Sequence, residues 1–127
     1  MNSILTSIKK LLMIDEDYEQ FDADIIMHIN TVLLILTQMG IGPTEGFSIT
    51  SKEETWDDFL GEDLSKLQMV KTYIGLRVRL IFDPPLSSSV VEVINQTIKE
   101  LEYRMYITEN PKDTFSSSES ATEEITE

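Results

Sequence analysis

Two stretches of the chain carry apolar residues at steps of three and four: Ile25, Ile29, Val32, Leu36 and Met39, then Val91, Ile94, Ile98, Leu101 and Met105. This step keeps each set along one side of an α-helix, and that side must be buried against something. A third and shorter set, Ile4, Ile8 and Leu11/Leu12, predicts a short amphipathic helix with Lys9 and Lys10 near its negative dipole end. A fourth is broader. Leu67, Val70, Ile74 and Ile81 form one line and Met69, Tyr73, Leu76 and Leu80 lie beside it, the pattern of the central helix of a bundle.

The punctuation agrees with these periods. Asp22 reads as the N-cap of a helix over residues 22–39, and Gly40 stands where a left-handed residue ends it. Residues 41–50 hold two glycines and a proline and predict a loop, with a brief extended piece at 47–50. Ser51 and Glu54 have the spacing of a capping box, opening a short helix with Trp56, Phe59 and Leu60 that ends before Gly61. Asp63 starts the broad helix, read over residues 64–82 and stopped by Asp83-Pro84-Pro85, because the residue before a proline is pushed out of helical geometry. Ser89 and Glu92 read as a second capping box, opening a last helix to about residue 108.

After Asn110-Pro111 the pattern stops. Residues 112–127 are mostly Ser, Thr and Glu, with only Phe115, Ala121 and Ile125 apolar, too little surface to offset the entropy of ordering. The expected organisation is a domain over residues 1–109 and a flexible Ser/Thr/Glu-rich tail over 110–127. The expected fold is all-α, a small helical bundle of about four to five helices with a disordered acidic C-terminal tail.

Charge narrows the function. The net charge is −13, from 23 acids and 10 bases. Asp15, Glu16, Asp17, Glu19, Asp22 and Asp24 fall in one stretch without a base. Such a surface repels phosphate, which argues against independent DNA or RNA binding. The same surface lining a channel would let nucleic acid pass without adhering. No apolar run approaches the ~20 residues that span a bilayer, so no membrane association is expected. The lysines of MNSILTSIKKLL follow apolar residues instead of preceding a long apolar block, a poor match to a signal peptide. The chain has no cysteine, which fits a reducing cytoplasm and removes any thiolate nucleophile or zinc–thiolate site.

Candidate chemistry is sparse. His28 is the only histidine, and it reads as structural or interfacial rather than as a lone general base. The acids of residues 15–19 lack the glycine and alternating ligands of an EF-hand loop, so a solvated connector is the better reading than a metal site. Glu53, Glu54, Asp57 and Asp58 have i, i+4 spacing; on a helix this sets like charges side by side, which a channel or a partner would make tolerable. A plain solvent-facing side is the simpler reading.

Lys71, Arg77, Arg79, Lys99 and Arg104 gather positive charge on the last two helices, opposite the acid-rich N-terminal half. Either these charges pair within the chain, or the basic side of one subunit meets the acids (Asp15, Asp17, Asp22) of the next. Trp56 reads as core, with a partner anchor as the alternative. Ser87, Ser88 and Ser89 have no G-x-S-x-G context, and no Walker loop or dinucleotide fingerprint is present. An enzyme is not expected, and neither is a cofactor or a bound metal.

Five segments in order resemble the head–tail connector (adaptor) family of long-tailed bacteriophages. They are LTSIKKLL, FDADIIMHINTVLLILTQMGIGP, EGFSI with WDDFLG, VKTYIGLRVRLIFDPP with SSSV, and INQTIKELEYRM. The resemblance implies a helical bundle and a homo-oligomeric ring of about twelve copies under the portal, closed by one repeated heterologous interface. It further implies a virion location at the head–tail junction after assembly in the host cytoplasm, and an extended channel through which DNA passes without sequence-specific binding. The ring would dock the portal protein and the next head-completion or tail protein. The portal-facing role would fall on the tail, with Phe115 and Ile125 as apolar anchors that order on binding.

Other classes compete. A helical regulator using its acidic face on a basic protein partner would form a small defined complex. A metal-dependent hydrolase using the 15–24 acids would be stabilised by a divalent ion. A DNA mimic would bind a DNA-binding protein and lose it in salt. None of the three accounts for the five segments.

Overall fold

The computed structural model describes residues 2–109. The expected tail, with Phe115 and Ile125, lies outside the described residues, as does any test of the boundary at residue 110. Five helices follow in chain order: α1 (Ile4–Leu11), α2 (Asp22–Gln38), α3 (Trp56–Leu60), α4 (Leu67–Phe82) and α5 (Ser88–Glu109). Among the described residues there is no strand, and the expected extended piece at 47–50 is irregular chain; one antiparallel bridge joins Ser3 to Thr55. The fold is an all-α bundle.

α4 is the central helix, packed against α1, α2 and α5. Its Val70, Tyr73, Ile74 and Val78 are fully buried, as its wide apolar arc requires. Phe21, just before α2, meets Phe82 at the end of α4 with ring centroids 5.3 Å apart, so these two helices run antiparallel. The stripe Ile25, Ile29, Val32 and Leu36 of α2 is buried, as are Ile94, Ile98 and Met105 of α5. α1 closes the core with Ile4, Leu5, Ile8 and Leu12. Between α2 and α4 the chain contributes Ile41, Ile49, Trp56 and Phe59, so the loop is as much part of the core as the helices.

The ends of the helices show where sequence signals misplace a cap. α2 ends as expected: Gly40 has φ 90°, its N–H donates to Thr37 O, and the Ile41 N–H donates to Leu36 O. This is a Schellman ending with the buried pair Leu36 and Ile41 across it. Its start differs. Asp22 is the first helical residue and not the cap, and Phe21 in the cap position makes no side-chain bond. The Asp22 carboxylate is engaged instead by Lys9 of α1 at 2.8 Å.

The capping box that opens α3 is Thr55 with Asp58, not Ser51 with Glu54. Thr55 Oγ1 accepts from Asp58 N at 3.2 Å, and Asp58 Oδ2 accepts from Thr55 N at 2.9 Å. The Ser51–Glu54 pair closes the preceding turn, where the Glu54 carboxylate accepts from the backbone of Thr50 and Ser51. Likewise, α5 begins at Ser88 with Ser87 as its side-chain acceptor, two residues earlier than the Ser89 box. α4 starts at Leu67, because Asp63 is used in a turn with Ser65 before it.

Candidate connector surfaces

The segment between α1 and α2 is built around a buried cation. Lys9 sits on the α1 face that also carries Leu5 and Leu12, and only 2% of it is exposed. Its ammonium donates to the carbonyls of Glu16 at 3.1 Å and Tyr18 at 2.7 Å. Asp22 Oδ1 lies 2.8 Å away as a close ion pair and not as an aligned hydrogen bond. Three acceptors therefore compensate one desolvated charge, which is the condition for burying a lysine. The chain folds over Lys9 with its carbonyls inward, leaving the side chains of Asp15, Glu16, Asp17 and Glu19 exposed. The acidic character of this connector is thus presented outward by the lysine beneath it.

A second polar group joins α4 to α5. Arg77 Nη2 donates to Glu102 Oε2 at 2.7 Å, Arg77 Nε donates to Tyr73 Oη at 2.7 Å, and Tyr73 Oη donates to Glu102 Oε2 at 2.8 Å. The guanidinium also lies 5.3 Å from the Tyr73 ring centroid. Burial first, then the bond to Glu102, pushes the Tyr73 hydroxyl up to about 12, against the pull of Arg77. Burial pushes the Glu102 carboxyl up as well. The hydrogen bonds from Arg77 and Tyr73 more than reverse this, so it lies below its ordinary value. Lys66 pairs with Glu109 at the other end of the same two helices.

These pairs locate the candidate interface residues. Asp22 and Arg77 are engaged inside the subunit by Lys9 and Glu102. Arg104 pairs with Glu100 one turn earlier on exposed α5, a contact worth about 0.3–0.5 kcal/mol. Asp15 and Asp17 are exposed, and Lys71 and Arg79 are half-buried. Asp15, Asp17 and Asp22 lie on the connector and the start of α2, and the basic residues lie on α4 and α5.

The four acids around α3 are also divided. Because α3 begins at Trp56, Glu53 and Glu54 precede the helix, and the expected i, i+4 crowding of like charges does not form. Glu54 and Asp58 are committed to local backbone N–H groups; Glu53 and Asp57 face solvent. Desolvation pushes the Glu54 carboxyl up, and its hydrogen bonds with Thr50 and Ser51 together more than reverse this, so it lies below its ordinary value. Trp56 is core, 2% exposed, with its indole N–H donating to Ser7 Oγ at 3.0 Å. His28 is half-buried on α2.

Two features are only faintly marked in the sequence. Lys9 resembles a plain helix-dipole partner, although a cation set between Leu5 and Leu12 and followed by an acidic run signals a buried pair. Exposed apolar side chains also collect where the periodic pattern ends: Ile81, Leu86, Val90 and Val93, around the turn from α4 to α5. Leu86 is fully exposed on a turn stiffened by Pro84 and Pro85. An apolar group held out rigidly in this way has the character of a contact surface.

Among the described residues, no group of three or more His, Cys, Asp or Glu is placed to hold a metal ion. No helix there is long and apolar enough to cross a membrane. No curated protein and no solved structure matches the chain. A family model does: that of the phage connector protein matches residues 4–112, nearly the whole described bundle. The chain belongs to the phage connector protein family.

Proposed function

We propose that the chain is one subunit of a closed ring at the phage head–tail junction, seated under the portal and lengthening the path by which DNA leaves or enters the head. Membership of the connector family carries this reading. It is a structural role that calls for no catalytic group and no cofactor.

Physical features of the subunit support it. A ring needs a rigid wedge with two unlike faces, since one heterologous contact repeated around an axis closes on itself. The ties Lys9–Asp22, with its lysine buried, and Arg77–Glu102, a third exposed, join α1 to α2 and α4 to α5 and favour such rigidity. The exposed apolar residues Ile81, Leu86, Val90 and Val93 offer one contact face. Asp15, Asp17, Glu53 and Asp57 carry negative charge into solvent, where it would keep passing DNA from adhering. About twelve copies fit the portal symmetry implied by the family resemblance, and tail contacts through Phe115 and Ile125, repeated in every copy, would add avidity.

The test is co-sedimentation of the purified protein with portal from the same phage. Saturable binding at about one chain per portal subunit supports the reading, and loss of binding on truncation after Glu109 assigns the docking to the tail. Absence of the chain from the portal fraction at any ratio removes it.

A further inference from the structure

α2 and α4 carry opposite charge. α2 holds Asp22 and Asp24 and no lysine or arginine, whereas α4 holds Lys71, Arg77 and Arg79 and no acid. Asp22 and Arg77 are paired inside the subunit. Asp24 and Arg79 are not: among the described residues Asp24 is exposed and meets no base, and Arg79 Nε is buried without a hydrogen-bond partner. A buried N–H without an acceptor is costly, and a guanidinium prefers a carboxylate.

Each of these two charges heads an outward row. On α2 the row is Asp24, Met27, Thr31 and Leu34; on α4, read backwards along the chain, it is Arg79, Leu76, Thr72 and Met69. Both rows step by three, four and three residues, the heptad spacing, over about 15 Å of helix. Met27 and Leu34 are 58% and 57% exposed, Thr31 and Thr72 are exposed, and Met69 and Leu76 are half-buried. Leu11 already fills the space over Gly75 beside the second row, so that face is shallow and suits a helix laid across it. The rows point away from Ile25, Ile29 and Val32 and from Val70, Ile74 and Val78, the buried sides of two helices that pack on each other. They therefore look out on opposite sides of the subunit, where one chain cannot join them and two copies can.

We propose that these rows are the subunit contact of the ring: α2 of one copy lies antiparallel on α4 of the next. In that register Asp24 stands on Arg79, Met27 on Leu76, Thr31 on Thr72 and Leu34 on Met69, so every position meets its own kind or its opposite charge. Arg79 donates to the Asp24 carboxylate and gains the acceptor it lacks within the subunit. The contact is heterologous, one face against an unlike one, and it repeats around an axis without leaving either row bare except at an open end. The inference rests on the ring reading and adds to it which helices meet. The apolar turn at Leu86 lies beyond the end of both rows and takes no part.

The chain lacks cysteine, so Thr31→Cys and Thr72→Cys placed together in the full-length protein report on this contact alone. The variant is mixed with portal from the same phage, oxidised gently and run on a non-reducing gel. The proposal expects a ladder of linked chains from the paired variant and single chains from either cysteine by itself. Adding Asp24→Arg or Arg79→Asp should cut the linked yield about tenfold, because like charges then face each other. Adding both reversals to the same chain should restore it. Portal-bound chain that gives no ladder overturns the contact and leaves the ring standing. So does a ladder indifferent to the single reversals, one not restored by the pair, or linkage of equal yield from a lone cysteine. Absence of the unaltered chain from the portal fraction removes the ring, and this contact with it.

Discussion

The side-chain amide of Asn30 holds both backbone groups of Ile49: Nδ2 donates to Ile49 O at 3.0 Å, and Oδ1 accepts from Ile49 N at 2.7 Å. The two bonds imitate a strand pairing and fasten the long loop across α2, with Ile49 itself buried. Replacing Asn30 by Ala leaves a peptide donor and acceptor unmet, so Asn30→Ala should lower unfolding stability by about 2–3 kcal/mol. Asn30→Asp, which keeps only the acceptor, should cost less. Urea denaturation measures both, and a loss under about 0.5 kcal/mol for Asn30→Ala would deny the clip its role.

Lys9 is the second such fastening. Lys9→Met retains the apolar stem but strands the Glu16 and Tyr18 carbonyls and the Asp22 carboxylate. Removal of one partner of a buried ion pair predicts a loss of about 3 kcal/mol. Asp22→Asn should be milder, because Lys9 keeps its two carbonyls and Asp22 is partly solvated. Equal costs for the two variants in urea unfolding would contradict this order.

Glycines 42 and 46 both have positive φ, at 87° and 98°, yet only one is enclosed. A Cβ on Gly42 would lie 2.4 Å from Phe59 Cε1, whereas nothing stands within 4 Å of one on Gly46. Gly46→Ala should therefore cost only the left-handed strain, about 1 kcal/mol. Gly42→Ala adds displacement of a buried ring and should cost about 2–4 kcal/mol. Thermal melts of the two variants side by side decide the matter.

The Tyr73–Arg77–Glu102 group predicts a stability curve that bends at both ends. The Tyr73 hydroxyl is raised from 10.0 to about 12, so its stabilisation is full below pH 10 and fades as the pH climbs to 12. The Glu102 carboxyl is lowered from 4.5, so its stabilisation is present above that value and is lost as the pH falls through the depressed one. Urea midpoints from pH 3 to 12 should show Tyr73→Phe flattening the alkaline limb and Glu102→Gln the acid limb. At pH 7, Glu102→Gln should cost about 1 kcal/mol, since the pair is a third exposed and screened by solvent.

The architecture was legible because helical periodicity depends on many residues at once. No single error displaces the stripe of Ile25, Ile29, Val32 and Leu36, and the Gly40 ending follows from the one backbone conformation that glycine alone adopts freely. The caps were less legible. Ser51, Thr55 and Ser89 are chemically equivalent, and which of them opens a helix is decided by tertiary contacts such as the Thr55–Ser3 bridge. Surfaces were harder still. Arg77 and Asp22 resemble interface charges in the sequence, and only the fold brings Glu102 and Lys9 within reach of them. Asn30 gave no signal, because its partner is a backbone group nineteen positions along the chain.

The central claim is that this connector subunit works as a ring on the portal. Electron microscopy of the purified protein mixed with portal from the same phage tests it most directly. The account predicts an added ring of about twelve copies on the portal's outer end, coaxial with the DNA channel. Bare portals beside unattached single subunits, under conditions where the protein is folded, would contradict it.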